Sequence, residues 1–365
     1  MPIYDYIYGT VDESSDETYE TSLKRPKESP NVVHLTHLTT PDSLYHLPIG
    51  IASLASNPLS SSSKWYLRFM WPFTFCLNLM ASIFGHSFVS ERTTFKNLNL
   101  QTWVVPRFTK QYFLKRHTTT LNKIIEAAIL EANSSGAKVL SLGLLNQKEE
   151  LNGYGQIYIQ KYPQLKIKIV DGSSLAAAIV LNTIPKATTQ VLLRGNFDKV
   201  YFAIANALCE RNVQVATLYK DELTKLHRRL NKKSKGDFTL STNYTPKIWL
   251  VGDGWNEEEQ MKAAKGSVFI PFSQFPPNKL RKDCFYHYTP AMIAPPSFMN
   301  VHSCENWLPR RAMSAWRIAG IVHALEGWNV NECGFSTFNV NQVWHATIRH
   351  GFQPFKIPID QFVFQ

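Results

Sequence analysis

The chain has 365 residues, 44% of them hydrophobic, with a formal net charge of +11 and a pI near 9.3. That is enough apolar material for a sizeable core, which excludes a wholly disordered protein. The 5 cysteines, at positions 76, 209, 284, 304 and 333, are odd in number and lack framework spacing, which excludes a disulfide-stapled secreted scaffold and favours a reducing compartment.

The basic balance favours an anionic partner: a membrane face, a nucleic acid or an acyl thioester. In the basic run 225–235 (KLHRRLNKKSK) no aromatic residue interleaves the charges, so it reads as a solvated helix end and loop and no nucleic-acid partner is expected.

Residues 1–31 read as an exposed lead-in, with an acidic cluster at Asp12, Glu13, Asp16 and Glu17 and no basic flank or apolar core of a signal peptide. Val32 to Leu38 then favours a strand, which sends His34 and His37 to opposite faces and argues against a metal site made with His46. Between Arg68 and Glu91 there is no charged residue, and Trp65, Tyr66 and Trp71 cluster at one end of the apolar stretch 65–89. A hydrophobic helical segment is expected here, as an interfacial or hairpin element, a buried core helix or a true span; Pro72, Asn78, Gly85 and His86 weaken the last.

From Gln101 onward the pattern alternates helices with short apolar strands, the grammar of an α/β domain with a mostly parallel sheet. Helices are expected over 121–132, 175–184 and 199–209. Strands are expected over 138–142, 166–170, 190–194, 213–218, 247–251 and 267–270. The organisation predicted is a lead-in (1–63), a membrane-associated segment (64–100) and a Rossmann-like domain (101–365).

The unit 190–218 has the strand, glycine turn, helix and strand of a dinucleotide-binding motif, which makes Gly195 and Asn196 the candidate phosphate contacts for NAD(P). Two features oppose that reading. Tyr201 stands where a third glycine is wanted for close packing, and Asp198 near the helix start repels a diphosphate.

A second concentration of chemistry lies between Cys284 and Trp328. Cys284, His287, His302 and Cys304 are possible zinc donors, although the prolines and apolar residues between them resemble an ordered loop and buried structural cysteine is the blander reading. Cys304, His302 and Glu305 could form a nucleophilic site, but such partners usually come from distant segments. After Pro309 the apolar spacing predicts a helix bearing Trp316 and His323, with Arg310 and Arg311 in its first turn. A basic pair at that end suggests an anionic group or another domain as its contact. No metal ligands are assigned.

The stretches MPIYDYIYGT, VVHLTHLTTPDSLYHL, KVLSLGLLNQKEELN, VDGSSLAAAIVLN, SVFIPFSQFPPNKLRKDC, NVHSCENWLPRRAMSAWRIAGIVHALEGW and RHGFQP, in this order, resemble the plant eceriferum/glossy family of cuticular-wax proteins, in its very-long-chain aldehyde decarbonylase branch. The resemblance implies production of very-long-chain alkanes from fatty aldehydes at the cytosolic face of the endoplasmic-reticulum membrane, with a reductase-like sister protein and a haem electron donor as partners. It also implies that the family's iron centre is held by histidine boxes of an amino-terminal, fatty-acid-hydroxylase-like domain. None of the His 11 here falls in such a box, so the chain is expected to be the carboxy-terminal domain, with little activity alone and a role in assembly or substrate positioning. Two alternatives remain open: a nicotinamide-dependent acyl-CoA or aldehyde reductase, and a nonenzymatic membrane-peripheral protein.

Overall fold

The computed structural model describes residues 29–38, 76, 83, 85–229, 238–241, 244–277, 279–298, 305, 307–309 and 311–355. Apolar, β-branched runs build two sheets. The first contains β1 (Val32–Leu38), β2 (Phe88–Phe95), β3 (Leu98–Phe108), β4 (Val139–Ser141) and β5 (Lys168–Val170), in the order β2-β3-β1-β4-β5. Only its edge strand β2 runs antiparallel to its neighbour.

The second sheet contains β6 (Gln190–Arg194), β7 (Gln214–Thr217), β8 (Phe238–Leu240), β9 (Ile248–Val251), β10 (Val268–Pro271) and β11 (Phe285–Tyr286). Its order is β11-β10-β9-β6-β7-β8 and every pairing is parallel. A short antiparallel ribbon joins β12 (Ala291–Ile293) to β13 (Ala312–Ser314).

The α/β reading with mostly parallel strands therefore holds, but the strands divide between two sheets instead of one. The reason lies in α4 (Ser173–Thr183), which connects them. Every residue from Ser173 to Leu181 is buried, and a helix that is apolar all round needs cover on every side. It packs on α5 (Lys199–Glu210), α8 (Ala315–Glu326) and α9 (Val340–Arg349), within a core shared by both sheets.

Strand alternation sorts the faces. Val32, Val139 and Val170 of the first sheet and Val191, Leu193, Leu250 and Ile270 of the second point into this shared core. The opposite face of the first sheet, with Val33, Leu35, Leu140 and Ile169, is covered by α1 (Thr118–Ser134). Leu121, Ile124, Ile125 and Ile129 form the buried stripe of α1, each contributing about 1.5–3 kcal/mol by removal from water. The remaining helices are short: α2 (Glu149–Asn152), α3 (Gln156–Lys161), α6 (Lys220–Arg229) and α7 (Glu257–Lys262).

Two expectations change. The helix after Pro309 begins only at Ala315, because Ala312–Ser314 is taken into β13 and the Ser314 side chain caps the helix by accepting from the Arg317 amide. The hydrophobic helical segment falls largely outside the described residues, apart from Cys76, Ile83 and the residues from Gly85. Among the described residues no helix is long and apolar enough to cross a membrane, and Phe88 onward is strand β2.

Gly143, just past β4, has φ +65, and a Cβ there would lie 2.0 Å from the Leu35 carbonyl oxygen. Gly136 also has positive φ (+81), but nothing lies within 4 Å of its would-be Cβ. Chemical denaturation of Gly136→Ala should therefore show a loss of about 1–2 kcal/mol from the left-handed backbone alone. Gly143→Ala should lose clearly more, about 3 kcal/mol or above, because the Leu35 backbone cannot yield. Equal losses would contradict the packing described.

Candidate functional site

In parallel sheets the ligand site lies beyond the carboxyl ends of the strands, where loops rather than ladders occupy the backbone. Here the carboxyl ends of both sheets open into one cleft of about 440 Å³. The first sheet supplies Gln147, Lys148, Glu149 and Glu150 after β4 and Ser173 after β5. The second supplies Asn196 to Val200 after β6, Asp253 after β9, and Phe272 and Gln274 around the end of β10.

Behind the cleft wall sits a buried ion pair. Lys199, the first residue of α5, donates from Nζ to Asp171 Oδ2 at 2.5 Å, and both side chains are at most 1% exposed. Asp171 Oδ1 accepts from the Ser173 amide at 2.8 Å, and the Lys199 amide donates to the Tyr154 hydroxyl at 3.1 Å. Glu332 lies beside them, accepting from the Ser174 amide at 2.7 Å. Burial pushes the Asp171 carboxyl upward, with Glu332 adding repulsion, while Lys199 pulls against both. The neighbouring Cys333 thiol is pushed up to about 11, again chiefly by burial. It is therefore a thiol and not a thiolate nucleophile at neutral pH.

The start of α5 decides whether a dinucleotide fits. Asp198 caps the helix, accepting from the Tyr201 amide at 2.7 Å, so a carboxylate already occupies the position a phosphate would take. Burial raises its pKa to about 7, with repulsion from Asp253 adding to the effect.

Gly195 is used for packing: its would-be Cβ lies 2.9 Å from the Gly252 Cα and 2.9 Å from the Phe272 ring. Tyr201 is fully buried, its ring 4.9 Å from that of Phe197 and 6.0 Å from that of Phe272. Aromatic rings thus fill the approach a pyrophosphate needs. Asn196 remains on the cleft wall, its amide bonded to the Asp253 carbonyl at 2.6 Å. The residues present do not fit a nicotinamide dinucleotide.

Of the cluster predicted between Cys284 and His323, the described members Cys284, His287, Glu305 and His323 each have separate surroundings. Cys284 and His287 flank β11 at the edge of the second sheet; the Cys284 thiol donates to the Ala264 carbonyl, and burial lowers His287 to about 4. Glu305 instead braces the start of α8, accepting from the Ser314 amide at 2.8 Å and from its hydroxyl. His323 donates from Nε2 to the Val330 carbonyl at 2.7 Å, between the rings of Trp328 and Phe338. Arg311 donates to the carbonyls of Pro295 (2.6 Å) and Phe298 (3.2 Å), so its cation meets backbone oxygens. His302, Cys304 and Arg310 lie outside the described residues.

The histidines of β1 do not converge either. His34 bonds to the Ser141 hydroxyl at 3.3 Å, while His37 packs against Tyr112 and Phe275. Among the described residues no group of three metal-ligating side chains comes together. His46 lies outside them.

Sequence reasoning missed Asp171, Lys199 and Tyr154. The usable signal was positional: Asp171-Gly172-Ser173 and Asn196 to Lys199 each follow an apolar strand and open a helix, and such loops converge when strands are parallel.

The Asp198 shift has a sign that can be measured. Its unfolded-state pKa is an ordinary carboxylate value and its folded value is about 7, so the folded state holds the extra proton between them. Stability is fully present below the lower value and falls as pH rises through that window. Asp198→Asn keeps a capping acceptor but no titrating group. Urea denaturation should show the variant gaining on wild type by roughly 2 kcal/mol between pH 5 and pH 8. A pH-independent difference would refute the burial described.

Residues 191–354 match the family model described as CER1-like, C-terminal domain. The very-long-chain aldehyde decarbonylase CER1 of Arabidopsis thaliana is 54% identical over 363 residues, covering 98% of this chain and 58% of that protein. The very-long-chain aldehyde decarbonylase GL1-5 of Oryza sativa subsp. japonica is 50% identical over 357 residues, covering 97% and 57%. The chain thus spans less than three-fifths of these curated relatives. A D-lactate dehydrogenase from Treponema pallidum covers 48% of the chain at 10% identity and a TM-score of 0.20, which carries no inference. Identity at this level along nearly every residue means that the chain belongs to the CER1-like family, with residues 191–354 matching its C-terminal domain.

Proposed function

We propose that this chain is the substrate-positioning part of a very-long-chain aldehyde decarbonylase that makes alkanes for cuticular wax, and that alone it has little or no such activity. The observation that carries this reading is the 54% identity to a decarbonylase over 98% of the chain, a span that includes both sheets and the cleft between them. The cleft chemistry supports it. An aldehyde oxygen accepts hydrogen bonds, and the Lys148 ammonium, the Ser173 hydroxyl and the Asn196 side-chain carboxamide are donor groups on the cleft wall. Burial lowers the Lys148 pKa, with Asp253 and Glu150 opposing, which suits a cation held at a half-dry rim.

In this reading the oxidative chemistry comes from the iron centre of the hydroxylase-like region found in the family's longer proteins, for which this chain's histidines provide no box. The chain's own residues bind and orient the polar end of the substrate. A reductase-like sister protein and a haem electron donor at the endoplasmic-reticulum membrane complete the assembly. Gas chromatography of cells supplied with very-long-chain aldehydes tests this. The chain alone should give no alkane above background, whereas Ser173→Ala with Asn196→Ala in a full-length relative, numbered as here, should lower alkane yield about tenfold or more. Alkane made by the isolated chain would overturn the proposal.

One observation favours a second reading, a nicotinamide-dependent reductase of acyl-CoA or aldehyde. The order β8-β7-β6-β9-β10-β11 is that of dinucleotide-binding sheets, and the Gly195 turn lies at the point where the order reverses. Because Asp198 holds the phosphate position at the helix start and Phe272 packs on Gly195, fluorescence titration with NADPH and NADH should show no saturable binding into the millimolar range. Saturable binding at micromolar cofactor would favour the reductase.

A further inference from the structure

The segment that leads from the first sheet into α1 is turned outward in an unusual way. Two 3-10 turns, Thr109–Phe113 and Lys115–His117, follow β3. Tyr112 points inward, 8% exposed, and its hydroxyl donates to Asn146 Oδ1 at 2.6 Å. Phe113 and Leu114 point out, 65% and 42% exposed, and the Lys115 and Arg116 side chains that follow are exposed as well. No acidic residue lies in the first turn of either 3-10 element.

This exposed pair is not a loose loop tip. The Tyr112–Asn146 bond ties the turn to the segment that forms the cleft wall, where Lys148 lies two residues beyond Asn146. The Lys148 ammonium sits over the Phe113 ring, 3.9 Å from its centroid. Phe113 therefore stands at the cleft rim, sharing a cation with it. Exposed aromatic and aliphatic side chains flanked by basic ones are the composition of a surface that enters the headgroup layer of an anionic membrane.

We propose that Phe113, Leu114, Lys115 and Arg116 form a membrane-docking rim that sets the cleft mouth against an anionic lipid surface. This rests on the reading of the cleft as the site that receives a very-long-chain aldehyde. Its volume of about 440 Å³ is at the small end of ligand sites, room for the polar end of such a substrate but not for its whole tail. The tail must leave through the mouth, and a mouth lying on the bilayer keeps it in hydrocarbon. Two further observations agree. The overall charge of +11 suits an anionic surface. The uncharged stretch between Arg68 and Glu91 enters the fold at Phe88, which is 40% exposed and pairs with Val104, near the end of β3 from which the rim departs.

Hydrogen exchange of the full chain, free and with vesicles of phosphatidylcholine alone or with phosphatidylserine added, tests the rim directly. Amides of residues 109–117 should become protected on the phosphatidylserine vesicles, less so without that lipid or at high salt. In sedimentation, Lys115→Glu with Arg116→Glu should lower partitioning to those vesicles by about tenfold or more. Phe113→Ser with Leu114→Ser should abolish the protection, while Met261→Ser, at a residue 66% exposed in α7, should leave both readouts unchanged. Membrane-bound protein whose residues 109–117 exchange as in solution would overturn the proposal, as would rim variants that bind and protect like wild type. Alkane yield is independent of these readouts: a protected rim in a chain that proves active alone removes the positioning role and leaves the docking surface standing.

Discussion

The buried pair of Lys199 and Asp171 is the constraint around which the junction of the two sheets is arranged. Removing two such ions from water costs several kcal/mol each, and their attraction offsets that only when the remaining polar atoms are also satisfied. The structure meets the condition with the Ser173 amide on the second carboxylate oxygen and the Ser174 amide on the neighbouring Glu332. Those partners come from the start of α4, the start of α5 and the segment that crosses from α8 to α9. The pair therefore ties the carboxyl ends of both sheets to one another across three chain segments. A buried cation paired with one carboxylate, with a second carboxylate beside it held by a backbone amide, leaves little freedom for any of these segments to shift independently.

The shared core supplies the complementary term, which is nondirectional. Because α4 is apolar on all sides, neither sheet alone can bury it, and the two sheets become one hydrophobic unit with the ion pair at its edge. The polar edge orients what the apolar centre holds. Around the same edge, loops that need not form ladders bring Lys148, Ser173 and Asn196 to one opening.

Much of this was legible in the sequence wherever periodicity and burial agree. The strand Gln190–Arg194 falls where its apolar run predicts, and the opposite facing of His34 and His37 follows from a two-residue period. What stayed hidden depends on nonlocal pairing. No local pattern says that the strands before and after α4 belong to different sheets, since a parallel crossover helix looks the same in both cases. Lys199 was hidden for a similar reason: at a helix start it reads as a surface cation, and only the position of Asp171 across the junction makes its burial tolerable. Conversely, the chemistry that crowded the stretch around His302 to Trp328 proved largely architectural where it is described, with Glu305, Arg311 and His323 each spent on backbone partners. Polar residues dense in sequence signal demanding packing as readily as they signal a reaction.

The all-round burial of α4 bears on how the cleft can select a ligand. Proteins that clamp substrate by swinging two lobes need a hinge that exposes little apolar surface when it opens. Here, parting the sheets would uncover Leu175, Ile179 and Val180 along with the strand faces against them, at about 25 cal/mol for each square ångström exposed. The two halves are consequently one rigid jaw set ajar, and in the proposed role discrimination falls to the fixed shape and donor pattern of the opening. In the proposed positioning role a ligand is sorted as it enters, by the fit of its head, because the two described halves do not part to take it in.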